Sequence, residues 1–213
     1  GVKVKNLHTR EENNTKEFYS NVVMSDAGAY NTYMKLIPKS VPISFRQDLE
    51  NTMSKEPTLS CVTLYIGFSE DPKNLGFKGE NYWMYSDYNH DKNFENRKTW
   101  IQTGDVAGLY LSFPSLKDPE AKAHTAEIIA FSDYEPFAKW KDQPWKKRDE
   151  EYKKLKDKIT DSLLNYVEKK FPGFKNLIEY TELSTPITNE HFTGHHNGNI
   201  YGLPCTPERF QKG

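Results

Sequence analysis

The chain has 213 residues, a formal net charge of −1 and a mean hydropathy of −0.84. This length allows one large domain or two small ones with a substantial buried core. The balanced charge argues against binding to nucleic acid, and no apolar run approaches the ~20 residues that span a bilayer. Aromatic residues make up 14% of the chain, enough to line an apolar pocket.

The N-terminal region is predicted to form a hairpin. Residues 1–5 alternate as a strand does, residues 9–16 form a turn, and residues 18–24 form the second strand. The strand then runs into small residues, where either an ordinary helix cap or a close approach to a ligand is expected. These residues are Ser25, Asp26, Ala27, Gly28 and Ala29.

The central region predicts an α+β fold, with a mixed, mainly antiparallel sheet of about five to seven strands covered by helices on one face. Helical turns are expected over residues 31–36 and 44–53, and one long helix of roughly 40 Å over about 145–171. Both faces of the predicted strands carry apolar or aromatic residues, so a ligand or a second domain is expected on the face without helices. The strands are predicted at 60–68, 81–86, 107–113, 125–131 and 177–183.

The C-terminal region breaks the regular patterns. Thr185 before Pro186 is typical of a helix start, because a hydroxyl cap precedes a residue whose fixed φ suits the first turn. Gly194, Gly198 and Gly202 then recur at every fourth residue. Such spacing predicts tight bends that bring the backbone close to another group.

The C-terminal region contains the runs TPITNEHFTG at 185–194, GNIYGL at 198–203 and TPERF at 206–210. These runs resemble the C-terminal region of the phytoene desaturase, carotenoid isomerase and retinol saturase family of flavoproteins. VVMSDAGAYNTYMKLIP at 22–38 resembles its crossing from the FAD domain into the substrate domain, and PSLKDP at 114–119 with HTA at 124–126 resembles part of that substrate domain. The runs occur in the order in which the family has them.

The resemblance implies the substrate-binding portion of an FAD-dependent oxidoreductase that desaturates, saturates or isomerises a long apolar polyene or isoprenoid by hydride exchange with flavin. Residues 1–38 would be the end of the FAD domain with the crossing segment, 39–183 the substrate domain and 184–213 a return segment. No G-x-G-x-x-G run occurs in the chain. FAD and the FAD-binding domain of the parent are therefore the expected partners, and the chain alone is expected to bind no FAD and to be inactive.

The resemblance also implies candidate site residues. Those expected nearest the flavin and substrate are Thr185, Thr188, His191, Tyr201 and Gly202, with Ser25 to Ala29 as weaker cofactor-binding candidates. Acid and base roles do not follow from the sequence. Cys61 and Cys205 are too few for a disulfide framework and favour a reducing, cytoplasmic compartment, with peripheral membrane contact of the parent as an open alternative.

Other functions remain open at this stage. The residues alone equally favour a stand-alone module that binds apolar ligands without catalysis. An interaction module would rest on exposed Trp140 and Trp145. A metal site at His191, His195 and His196 lacks a matching carboxylate, so no metal is predicted.

Overall fold

The computed structural model describes residues 1–6, 14–55, 59–204 and 206–207. Within them the strands are β1 (Val2–Lys5), β2 (Thr15–Phe18), β3 (Ser60–Phe68), β4 (Tyr82–Tyr85), β5 (Gly108–Ser112), β6 (His124–Ser132) and β7 (Ile178–Ser184). The helices are α1 (Arg46–Lys55), α2 (His90–Glu95), α3 (Trp100–Thr103), α4 (Pro114–Lys117), α5 (Glu150–Lys170) and α6 (Pro186–Thr193). Shorter helical turns cover Asn31–Leu36, Pro72–Leu75, Asn96–Lys98, Glu135–Trp140, Phe174–Leu177 and His196–Gly198.

The larger sheet has five strands in the order β4-β5-β6-β3-β7, and each neighbouring pair is antiparallel. The predicted α+β fold is confirmed, including the long helix and the mainly antiparallel sheet. The parallel component implied by a mixed sheet is not found among the described strands.

One face of this sheet is the hydrophobic core. The alternating residues Val62, Leu64 and Ile66 of β3 point into it and are almost fully buried, as the period of two requires. Leu163 and Val167 of α5 belong to the same buried cluster, so the long helix covers this face. Each such side chain stabilises the fold by about 1.5–3 kcal/mol relative to exposure.

The predicted start of the long helix, at about residue 145, is wrong. The backbone of Lys146 has φ 61°, in the left-handed region, which ends any helix that includes it. The helix begins instead at Glu150, where the Asp149 side chain accepts a 3.0 Å hydrogen bond from the backbone N–H of Tyr152. Its 21 residues span about 30 Å rather than the expected 40 Å.

The N-terminal hairpin is confirmed, but its second strand is misplaced in the prediction. β1 pairs with β2 antiparallel, with Lys3 opposite Glu17 and their charged groups 3.8 Å apart. Residues 19–24, predicted to be strand, lie outside β2, and Met24 is 94% exposed. Most of the predicted turn at 9–16 lies outside the described residues.

The C-terminal helix and the turns after it follow the prediction. Thr185 is the N-cap of α6, in a reciprocal capping arrangement with Thr188, and Gly194 ends the helix with φ 69°. Gly198 has φ 57°, and a Cβ atom there would lie 2.0 Å from the backbone oxygen of Pro186. The return of the chain against the start of α6 therefore requires glycine at this position.

Candidate functional site

The sheet face opposite the core is open and rich in aromatic side chains. Trp83 and Tyr110 lie on the neighbouring strands β4 and β5, with ring centroids 4.9 Å apart. Ile129 and Phe131 follow on β6, and Cys61 of β3 is paired with Phe131. These side chains line a cavity of about 740 Å³, a volume typical of small-molecule sites.

The helical segment between β4 and β5 forms a second wall of this cavity, with His90, Phe94 and Trp100 among its lining residues. The buried indole of Trp100 donates a 2.8 Å hydrogen bond from Nε1 to the backbone oxygen of Phe131. This bond holds the helical segment against β6, and the Phe94 ring lies 6.5 Å from that of Phe131.

The return segment contributes a third wall. The backbone N–H of Ile200 donates a 3.1 Å hydrogen bond to the backbone oxygen of Leu59, immediately before β3. The next residue, Tyr201, lines the cavity, with its ring 6.4 Å from that of Phe131. Residues far apart in sequence thus meet around one aromatic surface.

Three asparagines line the cavity, Asn81, Asn93 and Asn96, and each forms hydrogen bonds within the protein. Asn93 donates to the backbone oxygen of Asp87 at 2.8 Å. Asn96 donates to the backbone oxygen of Asp105 at 3.0 Å and accepts from the backbone N–H of Ala107 at 3.1 Å. Because these amides already have partners, the cavity presents mainly aromatic and aliphatic surface to a ligand.

Arg97 is buried in the same wall and forms an ion pair with Asp133, whose side chain is 14% exposed. Nε of Arg97 lies 3.0 Å from Oδ1 of Asp133, which follows β6. Nη1 of Arg97 lies 3.2 Å from a carboxylate oxygen of the more exposed Glu95. Burial raises the pKa of Asp133 above its ordinary value, and the Arg97 charge partly opposes that rise.

Two of the predicted site residues lie at or beside the cavity. Tyr201 lines it, and the backbone N–H of Gly202 donates a 2.9 Å hydrogen bond to Oδ1 of Asn199. Gly202 has φ 75°, so the turn after Tyr201 favours glycine.

The other three lie along α6, away from this cavity. Thr185 is fully buried at the helix start, where its hydroxyl lies 2.8 Å from that of Tyr152. Thr188 lines a second cavity of about 780 Å³, on the side of the sheet near β7. The His191 ring stacks on Trp145 at 5.8 Å, and Trp145 also lines the second cavity. Their proximity to a flavin stays a prediction.

The loop of cofactor-binding candidates lies beside the return segment. In this loop, the Ser25 hydroxyl lies 2.6 Å from that of Thr32. Gly28 has φ 79°, and a Cβ atom at this position would meet no other group within 4 Å. Asp26 is exposed, and Ala27 and Ala29 are half-buried. The ring of the next residue, Tyr30, stacks on His196 at 4.3 Å.

The C-terminal histidines contact different partners. His195 forms a 3.1 Å hydrogen bond through Nδ1 with the backbone oxygen of Asn199, whereas His191 and His196 stack on separate aromatic rings. Across the described residues, no group of three His, Cys, Asp or Glu side chains is arranged to hold a metal ion.

Most of the cavity residues are not among the predicted site residues. The aromatic residues on both faces of the strands are visible in the sequence, whereas residues 87–106, which supply the helical wall, carry no predicted element. The prediction that Trp140 is exposed is wrong. Trp140 is buried, 3% exposed, with Nε1 donating to Asp149 at 2.9 Å, whereas Trp145 is 41% exposed.

Among the described helices, none combines the length and the apolar character that a membrane span requires.

Comparison with known proteins identifies relatives along most of this chain, although no family model matches it. All-trans-retinol 13,14-reductase of Danio rerio is 34% identical over 199 residues, which are 89% of this chain and 32% of the relative. The Rattus norvegicus protein of the same name is 29% identical, over 86% of this chain and 31% of the relative. The chloroplastic prolycopene isomerase of Arabidopsis thaliana is 22% identical, over 89% and 29%.

The chain spans about a third of the length of these curated relatives. Its homologues are reductases and isomerases by name, and they confirm the resemblance stated from the sequence. Over the residues that it covers, the chain matches the retinol saturase and carotenoid isomerase family.

Proposed function

We propose that this chain is the substrate-binding part of an FAD-dependent oxidoreductase that acts on a long apolar polyene or isoprenoid of the retinoid or carotenoid type. The observation that supports this most is the aromatic cavity on the open face of the sheet, with Trp83, Tyr110 and Phe131 in its walls. Its volume and apolar lining suit a largely hydrocarbon ligand, which needs shape and stacking more than polar anchors.

The residues present are compatible with a flat cofactor beside the return segment. Ala27, Gly28 and Ala29 carry no bulky side chains, and the backbone of Gly28 is open on the side where a Cβ would lie. When bound, FAD would supply the hydride chemistry. The chain's own residues would hold the polyene, exclude water from it and orient the reacting double bond.

The runner-up function is a module that binds an apolar ligand without catalysis. The same cavity would serve it, so the two functions differ only in the cofactor. We expect the natural full-length protein, purified in the dark, to show the visible absorption of bound flavin. Under anaerobic conditions, the chemically reduced flavin should reoxidise on addition of all-trans-retinol or a carotenoid. A colourless, folded protein that still binds polyenes would exclude the flavoenzyme and favour the binding module.

A further inference from the structure

A cavity that bound only hydrocarbon would not need the ion pair between Arg97 and Asp133 at its wall. Arg97 lines the cavity and its side chain is 7% exposed, while that of its partner Asp133 is 14% exposed. Burying charges is costly, and a pair of apolar residues of similar volume would often stabilise the fold equally well. A charged pair beside an apolar cavity is therefore a candidate for recognition of a ligand.

The contacts of Arg97 leave part of its guanidinium uncommitted. Nε lies 3.0 Å from Oδ1 of Asp133, an oxygen that accepts no hydrogen bond from the described residues, and Nη1 donates to the backbone oxygen of Phe94 at 3.2 Å and to Glu95. Within the described part of the chain, Nη2 makes no hydrogen bond. A guanidinium carries five N–H donors in a planar fork, so a donor group remains at the cavity wall.

The surrounding charges determine which oxygen this donor would favour. Arg97 is paired with two carboxylates, those of Asp133 and Glu95, and Glu95 also forms an ion pair with Lys98. The four formal charges cancel. A ligand carboxylate would meet no net positive charge here, whereas a hydroxyl or carbonyl oxygen needs only one hydrogen-bond donor.

We propose that Arg97 donates a hydrogen bond to the neutral terminal oxygen of an otherwise hydrocarbon ligand, so that the cavity selects isoprenoid alcohols or aldehydes over hydrocarbons and carboxylic acids. This inference rests on the proposed function and adds the chemical group that the site recognises. Arg97 thereby becomes a specificity-determining residue rather than a support for the fold alone.

The position of Arg97 also orients the ligand. Its guanidinium lies 4.2 Å from the centroid of the Phe94 ring, which packs towards Phe131 and through it towards Tyr201. A ligand bound by its oxygen at Arg97 would place its adjoining carbons against these rings. In retinol, the substrate in the name of two relatives, the 13,14 double bond lies next to the carbon that carries the hydroxyl.

The test compares three polyenes that share one hydrocarbon skeleton: all-trans-retinol, all-trans-retinoate and the hydrocarbon that lacks the oxygen. Their dissociation constants are measured by equilibrium dialysis against the natural full-length protein and its Arg97→Met variant. The double variant Arg97→Met/Asp133→Asn removes both charges, so that no unpaired carboxylate remains buried. Arg148→Met is the matched control, because Arg148 is equally buried and lies outside this cavity.

We expect the wild type to bind retinol about tenfold more tightly than either of the other two ligands, as a hydrogen bond to a charged donor provides. In both Arg97 variants the preference for retinol over the hydrocarbon should disappear, while affinity for the hydrocarbon changes less than about threefold. Arg148→Met should retain the preference.

Three results would overturn the inference. A wild type that binds retinol and the hydrocarbon equally would refute it while leaving the proposed function intact. A retained preference in the double variant would assign the selection to another residue. Equal loss of both ligands in the double variant would assign Arg97 a structural role. A wild type that binds none of the three polyenes would instead refute the proposed function itself.

Discussion

The ring of Tyr30 stacks on the imidazole of His196 with the two centroids 4.3 Å apart. This contact joins the crossing segment to the turn after α6. The Lys35 ammonium reinforces it by donating a 2.9 Å hydrogen bond to the backbone oxygen of Gly194. Two segments at opposite ends of the chain, both expected to lie beside a cofactor, therefore form one surface.

His196 should make the stability of this surface depend on pH. Burial, with the nearby Lys35 and Lys141 charges, lowers the pKa of His196 below its ordinary value, although Glu190 opposes the shift. The folded protein therefore binds the proton less readily than the unfolded chain, and stability is lost as the pH falls below about 6.5.

Thermal unfolding monitored between about pH 7.5 and about pH 5.5 tests this dependence. The melting temperature of the wild type should fall on acidification by more than that of His196→Gln, whose side chain stays neutral. If the melting temperatures of the two proteins fell equally on acidification, a group other than His196 would cause the loss of stability. His90→Gln is the control, because His90 lies in α2 and packs edge-on against Tyr85.

Trp83 should contribute to polyene binding without contributing much to the fold. The side chain is 61% exposed, so Trp83→Ala should change the free energy of unfolding by less than about 0.5 kcal/mol. The lost ring contact should weaken polyene affinity about fivefold, corresponding to about 1 kcal/mol. Ligand titration monitored by polyene absorption measures the effect. Equal affinities of Trp83→Ala and the second-cavity control Trp145→Ala would contradict the assigned site.

Trp100 should stabilise both the fold and the cavity wall. Trp100→Phe removes the Nε1 donor and leaves the backbone oxygen of Phe131 without that partner, at a cost of about 1–3 kcal/mol in the free energy of unfolding. Urea denaturation measures this cost. Trp145→Phe, at a partly exposed position, should change the midpoint of urea denaturation little. An equally small effect of Trp100→Phe would mean that the hydrogen bond does not hold the helical segment against β6.

Thr185 should be important for the start of α6. Thr185→Ala removes both the cap and the hydroxyl contact with Tyr152, and should lower the free energy of unfolding by about 1–2 kcal/mol. Thr185→Ser keeps the hydroxyl and should recover most of that loss. If the serine variant were as unstable as the alanine variant, the lost methyl group rather than the cap would account for the effect.

Local patterns predicted the sheet because its signals are short-range. The alternation of Val62, Leu64 and Ile66 along residues 60–68 defines β3, and Thr185 before Pro186 defines the start of α6. The start of α5 could not be predicted in the same way. Lys146 is exposed and has a left-handed backbone, and a lysine at this position carries no signal for that conformation.

The cavity was less predictable because its walls depend on long-range contacts. Phe94 and Trp100 lie in a charged segment without helical periodicity, and their role follows only from their contacts with Phe131. Tyr201 was identified through the resemblance and not through any local pattern. The pairing of Arg97 with Asp133 likewise depends on how the helical segment sits against the end of β6.

The most direct test of where the ligand binds is photo-crosslinking of the natural full-length protein with a diazirine-bearing retinol analogue, followed by peptide mapping by mass spectrometry. We expect adducts on β4, on the helical segment that contains Phe94, and on β6 at Phe131, and unlabelled retinol should suppress them. Adducts concentrated around Trp145 and Phe192 in the second cavity, or labelling that retinol does not suppress, would contradict the assignment of the open sheet face as the ligand site.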